Sequence, residues 1–454
     1  MTQLLIIGGS DAGISAALKA KELAPKTQVT VMLSDAFPNY SICGLPFFLS
    51  GEVPDWKNLA HRTQEEITQL GIKLLVNHRA IAINPLEKIV TAVNTQGQQG
   101  QIGYEQLIIA TGATSRRPKI EGLDNPGVYF LRWMGDSFAL HQHLTQHQPK
   151  SALIIGGGYI GMEMADALTL RGLKVTVVEH SPTVLKTVTP SFGQMISDEL
   201  QRHGVNVVNG ISIETIKLRD KQLIVTGSDE FETEADLVLV AVGAKPATEL
   251  AQSAGVELGV AGAIRVNRKM ETNIPNIYAA GDCVETWHRL LNKSVYLPLG
   301  TTAHKQGRIA GENALGGNRE FAGSLGTQVV KIFDLAIART GLREHEASEA
   351  GFNPVTIETK TWHHKVYYPG AHQLIIRVTG DLTTGRLLGA QILGHYQGEV
   401  AKRIDIFATA LYHGMKVEDI ERLDLSYTPP LSSPFDPVQM STQDWCRKHQ
   451  LALV

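Results

Sequence analysis

At 454 residues, with 43% hydrophobic and 19% charged residues, the chain has the make-up of an ordinary globular protein with room for about three domains. A net charge of −3 gives no electrostatic reason to expect nucleic acid or an anionic membrane as partner, and no apolar run approaches a membrane-spanning length. Three scattered cysteines, Cys43, Cys283 and Cys446, argue against a disulfide framework, and with no basic leader ahead of the first strand they predict a reducing, cytoplasmic setting.

Gln3 to Ile7 predicts a strand, followed by a dinucleotide turn: Gly8, Gly9, Ser10, Asp11, Ala12 and Gly13, with Ser10 at the middle glycine position. A helix from Ile14 to near Ala24 and a second strand, Val29 to Leu33, complete the unit. Such a turn lets backbone N–H groups and the helix N-terminus hold a pyrophosphate. The acid that would bind a ribose is expected where Leu33 stands; Ser34 and Asp35 follow, and Asp35 is the displaced candidate. Next comes Tyr40-Ser41-Ile42-Cys43-Gly44-Leu45-Pro46-Phe47-Phe48. A helix N-terminus lowers a thiol's pKa. Five residues after Cys43 stands Phe48, with no second cysteine, so Cys43 reads as a solitary redox thiol; the alternative is a buried structural cysteine. Residues 70–113 form short strands that finish in Ala110-Thr111-Gly112, where a small residue and glycine let backbone pass close to a ligand. Arg116-Arg117-Pro118 reads as a crossover between domains.

The opening pattern then repeats. Ser151 to Ile155 predicts a strand, Gly156, Gly158 and Gly161 complete a full GxGxxG that includes Tyr159 and Ile160, and Met162 to Leu170 is a helix. Glu179 ends the next strand, 18 residues after Gly161, which is the full fingerprint in its required context. A carboxylate there accepts from ribose hydroxyls and repels a 2′-phosphate, so NADH is favoured, with NADPH the lesser possibility. Leu237 to Val240 runs into Gly243 as the earlier strand runs into Gly112, giving two dinucleotide folds in tandem. A short buried strand ends at Gly281-Asp282, where Asp282 can bond a ribityl hydroxyl, and a helix at 301–314 begins nearby. From about 321 the pattern becomes alternating strands and two helices, ending near Tyr427-Thr428-Pro429-Pro430.

Together, both glycine turns, Ala110-Thr111-Gly112, Gly281-Asp282 and the terminal Tyr-x-Pro-Pro resemble the flavoprotein pyridine nucleotide-disulfide oxidoreductases. Ser41-x-Cys43-Gly44-Leu45-Pro46 is similar to the single-cysteine branch, which includes coenzyme A-disulfide reductase, NADH oxidase and NADH peroxidase. The resemblance implies an α/β fold: FAD on residues 1–113 and 245–320, NAD(P)H on 114–244, and an α+β dimerisation domain over 321–454. It also implies that Tyr159 gates the nicotinamide and that Tyr367, Tyr368 and Tyr427 face the cysteine of the other subunit in a homodimer. Two departures stand out: Asp11 occupies the position of the histidine that supports a cysteine sulfenate in oxidases and peroxidases, and Glu22 follows Lys19 and Lys21 where coenzyme A reductases carry basic residues.

The reading that follows is an FAD-dependent NAD(P)H:disulfide oxidoreductase acting through Cys43 on a small disulfide, persulfide or coenzyme A disulfide. The alternatives are an NADH oxidase or peroxidase using a sulfenate and, from another class, a flavin-bound redox sensor. No metal is expected: His141, His143 and His147 read as a solvated helix face, and 362–365 as a hairpin surface. Cys283 reads as buried and inert, Cys446 as a surface or interface residue.

Overall fold

The computed structural model describes residues 3–452. Two parallel five-stranded sheets share one topology. In the first, Gln3–Ile7 lies at the centre, flanked by Gln28–Met32 and Ile72–Leu75 on one side and by Gln106–Ile109 and Ile277–Ala279 on the other. In the second, Ser151–Ile155 takes the centre, with Lys174–Glu179 and Asn206–Asn209 to one side and Leu237–Val240 and Val128–Phe130 to the other. Both central strands are buried apart from their first residue, the pattern of parallel strands covered on both faces. Each unit carries a three-stranded antiparallel sheet, within 78–103 and 213–235. The units are joined where Ala113–Ser115 pairs antiparallel with Ala244–Pro246.

The remaining sheet is antiparallel, in the order Gln328–Ile332, Leu335–Gly341, Leu387–His395, Gln373–Asp381, Pro354–Trp362. The helices Val400–His413 and Pro437–Ala452 pack on it. The second helix has no counterpart in the sequence reading. Its anchor is Trp445, buried against the sheet, whose indole N–H donates to the Val355 carbonyl at 3.0 Å. The strand Leu335–Gly341 also went unread, because Leu335-Ala336-Ile337-Ala338 has no clean alternation.

Three readings of side-chain setting need correction. His141 is half-buried, stacked on Phe48 with ring centroids 4.8 Å apart, and His143 bonds the Tyr129 hydroxyl at 3.0 Å, so of the three histidines only His147 is solvated as read. His363 and His364 are buried and joined to each other at 2.6 Å, while Trp362 and Lys365 stay at least partly exposed. Cys446 lies in the core of the C-terminal domain, where burial pushes its thiol up to about 12. Cys283 is buried, as read.

One contact sets the geometry of the first unit. The helix Asp11–Leu23 lies against Gly300–Asn313, and two glycines permit the approach. A Cβ on Gly307 would stand 2.2 Å from the Ala12 carbonyl oxygen, and one on Gly311 would stand 2.3 Å from that of Ala16. Backbone cannot yield as a flexible side chain does. Gly307→Val should therefore cost roughly 1–3 kcal/mol by overpacking, read as a lower apparent melting temperature together with faster flavin loss. A variant melting like the parent would show that the two helices separate freely.

Candidate active site

The first glycine turn is built from close backbone approaches. Gly8 has φ +121°, and a Cβ there would strike the Ala110 carbonyl, while a Cβ on Gly13 would strike the carbonyl of Gly8. Ser10 caps the helix without a side-chain bond, so the N–H groups of its first turn point outward from the strand ends. Leu33 covers Gly9; Ser34 is exposed; Asp35 accepts from the Phe37 N–H at 2.8 Å, its pKa raised by burial. Ala110, Thr111 and Gly112 end the neighbouring strand, with the Thr111 hydroxyl donating to the Ala247 carbonyl at 2.6 Å. Gly281 donates to the Gln306 side chain at 3.0 Å, and the Asp282 carboxylate is ion-paired with Arg132. Asn39, which donates from its backbone to the Gly9 carbonyl at 2.7 Å, has a buried side-chain N–H donor with no partner. An orphaned donor beside a glycine cradle at a helix N-terminus fits the phosphates or hydroxyls of a dinucleotide, and these residues fit FAD.

The second turn repeats the device and leaves more room. Gly161 lies against the Gly156 carbonyl, whereas a Cβ on Gly158 or Gly243 would meet nothing within 4 Å. Glu179 accepts from the Gly157 N–H at 2.6 Å and the Ser181 N–H at 2.8 Å, with His180 Nδ1 also at 2.8 Å. Burial alone would raise its carboxyl, but these donors outweigh burial and hold it below the usual range, so it is an anion at neutral pH. Ile160 is exposed at the helix start, and the Tyr159 hydroxyl accepts from Thr187 at 3.1 Å.

Cys43 sits in a single 3₁₀ turn, Ile42–Gly44, that leads into the short helix Leu45–Ser50. Its sulfur opens to solvent on one side while protein crowds it on the others. That crowding raises the thiol pKa, and Asp11, Glu163 and Asp282 raise it further against the pull of Arg132. The expectation of a thiol acidified by a helix N-terminus is therefore corrected. The N–H groups of Gly44 and Leu45 are spent on the carbonyls of Ser41 and Ile42, and a six-residue helix has little dipole to offer.

Several residues of this cleft went unread in the sequence. Glu163 is the clearest case: burial first, then Asp166, raises its pKa to about 7. It lies four residues after Tyr159 on one helix, so the shared face was there to be seen. His304 bridges Asp11, at 3.4 Å, and the Ser15 hydroxyl, at 2.7 Å, with His61 close by. Burial raises the Asp11 pKa despite both histidines. No local pattern marks His61, which comes from a distant loop. Lys19 pairs with Glu22 at 2.8 Å and Arg308 with Glu22 at 3.2 Å, while Lys21 binds backbone carbonyls of Pro25 and Thr27. Tyr367, Tyr368 and Tyr427 lie exposed on the C-terminal domain, with Tyr427 close enough to Tyr367 to raise its pKa. The charged neighbours of Cys43 within the chain come from other elements. Elsewhere, Glu199, His203 and Asp334 converge, but Arg202 already holds the second oxygen of Glu199, and the group reads as an ion-pair knot between domains.

Since Glu163 raises the Cys43 pKa, Glu163→Gln should shift the pH profile of iodoacetamide alkylation of Cys43 to lower pH, and Asp11→Asn should do the same. An unmoved profile in both variants would remove these carboxylates from the site's electrostatics.

Residues 2–307 match the family described as pyridine nucleotide-disulphide oxidoreductase, and residues 327–437 match the dimerisation domain of the same family. The chain is 35% identical over 445 residues to NAD(P)H sulfur oxidoreductase (CoA-dependent) of Pyrococcus furiosus, covering 96% of this chain and 97% of that protein. It is 32% identical to coenzyme A disulfide reductase of Staphylococcus haemolyticus over 97% of this chain and 98% of that one. Among solved structures, the NAD-dependent persulfide reductase from A. fulgidus superposes with a TM-score of 0.95 at 34% identity, covering 99% of this chain and 84% of that chain. Among the described residues no helix is long and apolar enough to cross a membrane. The chain belongs to the pyridine nucleotide-disulphide oxidoreductases, and it is an FAD-dependent oxidoreductase that draws electrons from a nicotinamide dinucleotide.

Proposed function

We propose that this enzyme reduces a low-molecular-weight disulfide or persulfide with NADH, through Cys43 and across a homodimer. The observation that carries the proposal is the solitary, solvent-reachable thiol of Cys43 set between two dinucleotide cradles. We assign FAD to residues 1–113 and 245–320, the nicotinamide dinucleotide to 114–244, and dimerisation to 321–454. FAD, held on Gly8–Gly13, Ala110–Gly112 and Gly281-Asp282, would supply the electron pair, received as a hydride, that reopens a mixed disulfide.

The chain's own residues shape the rest. Glu163, whose pKa burial raises to about 7, is one of the carboxylates that raise the Cys43 thiol, and we assign it the role of taking the thiol proton. The thiolate then attacks one substrate sulfur: a Cys43–sulfur bond forms, the substrate S–S bond breaks, and the departing thiolate needs a proton. Tyr427 of the partner subunit, with Tyr367 and Tyr368 alongside, supplies it. Tyr159 covers the nicotinamide entrance.

Three carboxylates facing Cys43 oppose a sulfenate anion, which argues against the oxidase or peroxidase reading. The lysines of the first helix are already bound, to Glu22 and to backbone carbonyls, so the substrate is not held by nucleotide phosphates there. Persulfide or a small disulfide should therefore outperform coenzyme A disulfide in an anaerobic panel of acceptors, and a strong preference for coenzyme A disulfide would reverse that choice.

Two further outcomes are expected. The anionic Glu179 should make NADH the faster reductant by about tenfold, a difference of ~1.4 kcal/mol, and Glu179→Arg should move the preference towards NADPH; equal rates in the parent would refute the assignment. In stopped-flow, Cys43→Ser should keep flavin reduction by NADH and lose disulfide turnover. Tyr427→Phe should keep the first half-reaction and slow the second by roughly 10²–10⁴-fold. Full disulfide turnover by Cys43→Ser would make the thiol structural.

A further inference from the structure

The loops that carry the tyrosines meet on one buried guanidinium. Arg403, 4% exposed, donates to the Gly398 carbonyl at 2.7 Å, the His363 carbonyl at 2.9 Å and the Leu431 carbonyl at 3.5 Å. It also binds the buried Asp436 carboxylate, Nη2 at 2.9 Å and Nε at 3.2 Å. Asp436 in turn accepts from the Ser432 hydroxyl at 2.7 Å and the Val438 N–H at 2.9 Å. His363 opens the segment that bears Tyr367 and Tyr368, and Leu431 to Asp436 is the segment after Tyr427. One side chain thus fastens both. The Lys365 N–H, donating to the Pro429 carbonyl at 3.3 Å, joins the same two segments farther out.

A second arm hangs from His363. At its far end the Tyr368 carbonyl can only accept, so His364 Nε2, at 3.2 Å, must donate. In a neutral ring His364 Nδ1 is then an acceptor, and His363 Nε2, 2.6 Å away, is its donor. His363 Nδ1 is left to accept from the His372 N–H at 3.0 Å. The chain is thus made with both imidazoles neutral and both rings buried; His363 Nδ1 also lies 3.2 Å from the His372 carbonyl, which accepts instead from the His363 N–H at 3.0 Å. The chain of bonds runs from the Arg403 anchor to the backbone of Tyr368 itself.

We infer that Arg403 is a positioning residue for sulfur chemistry: through Asp436 and the His363–His364 pair it sets the Tyr367–Tyr427 pair and Tyr368 in the orientation that meets the partner's cysteine cleft. This rests on the reading of the tyrosine face given above. Nothing in the sequence marks Arg403, which lies in the first turn of its helix among Lys402, Ile404 and Asp405.

The test uses FAD-loaded dimer and separates the two half-reactions. Arg403→Lys should bind flavin and be reduced by NADH at the parent rate, yet reoxidise with disulfide about 10–100-fold more slowly, the scale of a 1 Å misplacement. The loss should fall on kcat, with KM for the disulfide little changed. Combined with Tyr427→Phe it should slow the enzyme no further than Tyr427→Phe alone, since both act through one group. Should Arg403→Lys fail to fold, His364→Ala interrupts the second arm at lower cost, and His364→Gln, whose amide can still donate to Tyr368, should restore the rate. Parent-like reoxidation by Arg403→Lys or, failing its folding, by His364→Ala overturns the inference, as does full additivity with Tyr427→Phe. Parent-like reoxidation by Tyr427→Phe alone instead overturns the tyrosine reading beneath it.

Discussion

The arrangement depends on one buried carboxylate. Asp166, 6% exposed on the helix Tyr159–Leu170, accepts from the Phe333 N–H at 2.9 Å and the Lys331 ammonium at 3.2 Å, both from the C-terminal domain. The same helix is followed by Arg171, whose Nε donates to the Leu49 carbonyl at 2.7 Å at the end of the cysteine segment. Apolar packing reinforces both contacts: Met162, Leu45, Phe48 and Ile332 belong to one core. A single helix therefore belongs at once to the second dinucleotide unit, to the cysteine segment and to the C-terminal sheet. Removing Lys331 would leave the buried Asp166 carboxylate with the Phe333 N–H but without its counter-charge, which is destabilising even though the lysine itself is partly exposed. The pair also reaches the chemistry, since Asp166 helps to hold Glu163 near neutrality.

This linkage explains why the cleft's electrostatics differ from those of a cysteine activated by a helix. An acidified thiol would rest as thiolate, open to solvent and to oxidants. Here burial and three carboxylates keep the resting sulfur protonated, and Arg132, which pulls the other way, is already committed to Asp282. Thiolate must then be generated on demand. A carboxyl near 7 can exchange a proton close to ambient pH, whereas an ordinary glutamate would be too weak a base, which is why Glu163 is assigned this role.

The fold was legible wherever a periodic pattern coincided with a glycine signal. Ser151–Ile155 and Leu237–Val240 were read to the residue, and the helix Gly300–Asn313 to within one. What escaped was set by tertiary contacts. Pro437–Ala452 shows no amphipathic stripe strong enough to announce itself, and it becomes a helix because Trp445 has a sheet to lie on. His363 and His364 look like a polar turn between Trp362 and Lys365, yet Arg403, forty residues on from His363, draws them inside. The same holds in the site. Cys43, Glu179 and both glycine turns were visible locally, and Glu163 could have been found from its spacing to Tyr159. His304 against Asp11, and Arg132 against Asp282, needed the fold.

The division of labour within one chain leaves two surfaces that each lack something. Cys43 lies in a cleft whose charged neighbours all come from the dinucleotide units. The C-terminal face offers hydroxyls and no thiol, and it exposes apolar residues at a scale unusual for a free surface: Val366 at 58%, Tyr367 at 74%, Leu431 at 66% and Phe435 at 55%. Their loops are nonetheless held from within by a buried ion pair, so the exposure is not a consequence of slack packing. In the proposed homodimer a twofold operator would repair both deficits in one step, because an isologous contact would present each chain's face to the other's cleft twice. Rigid placement matters more under that symmetry. A tyrosine misaligned in one subunit is misaligned in both sites, and the cost of ordering two loops is met inside each monomer, before the subunits associate.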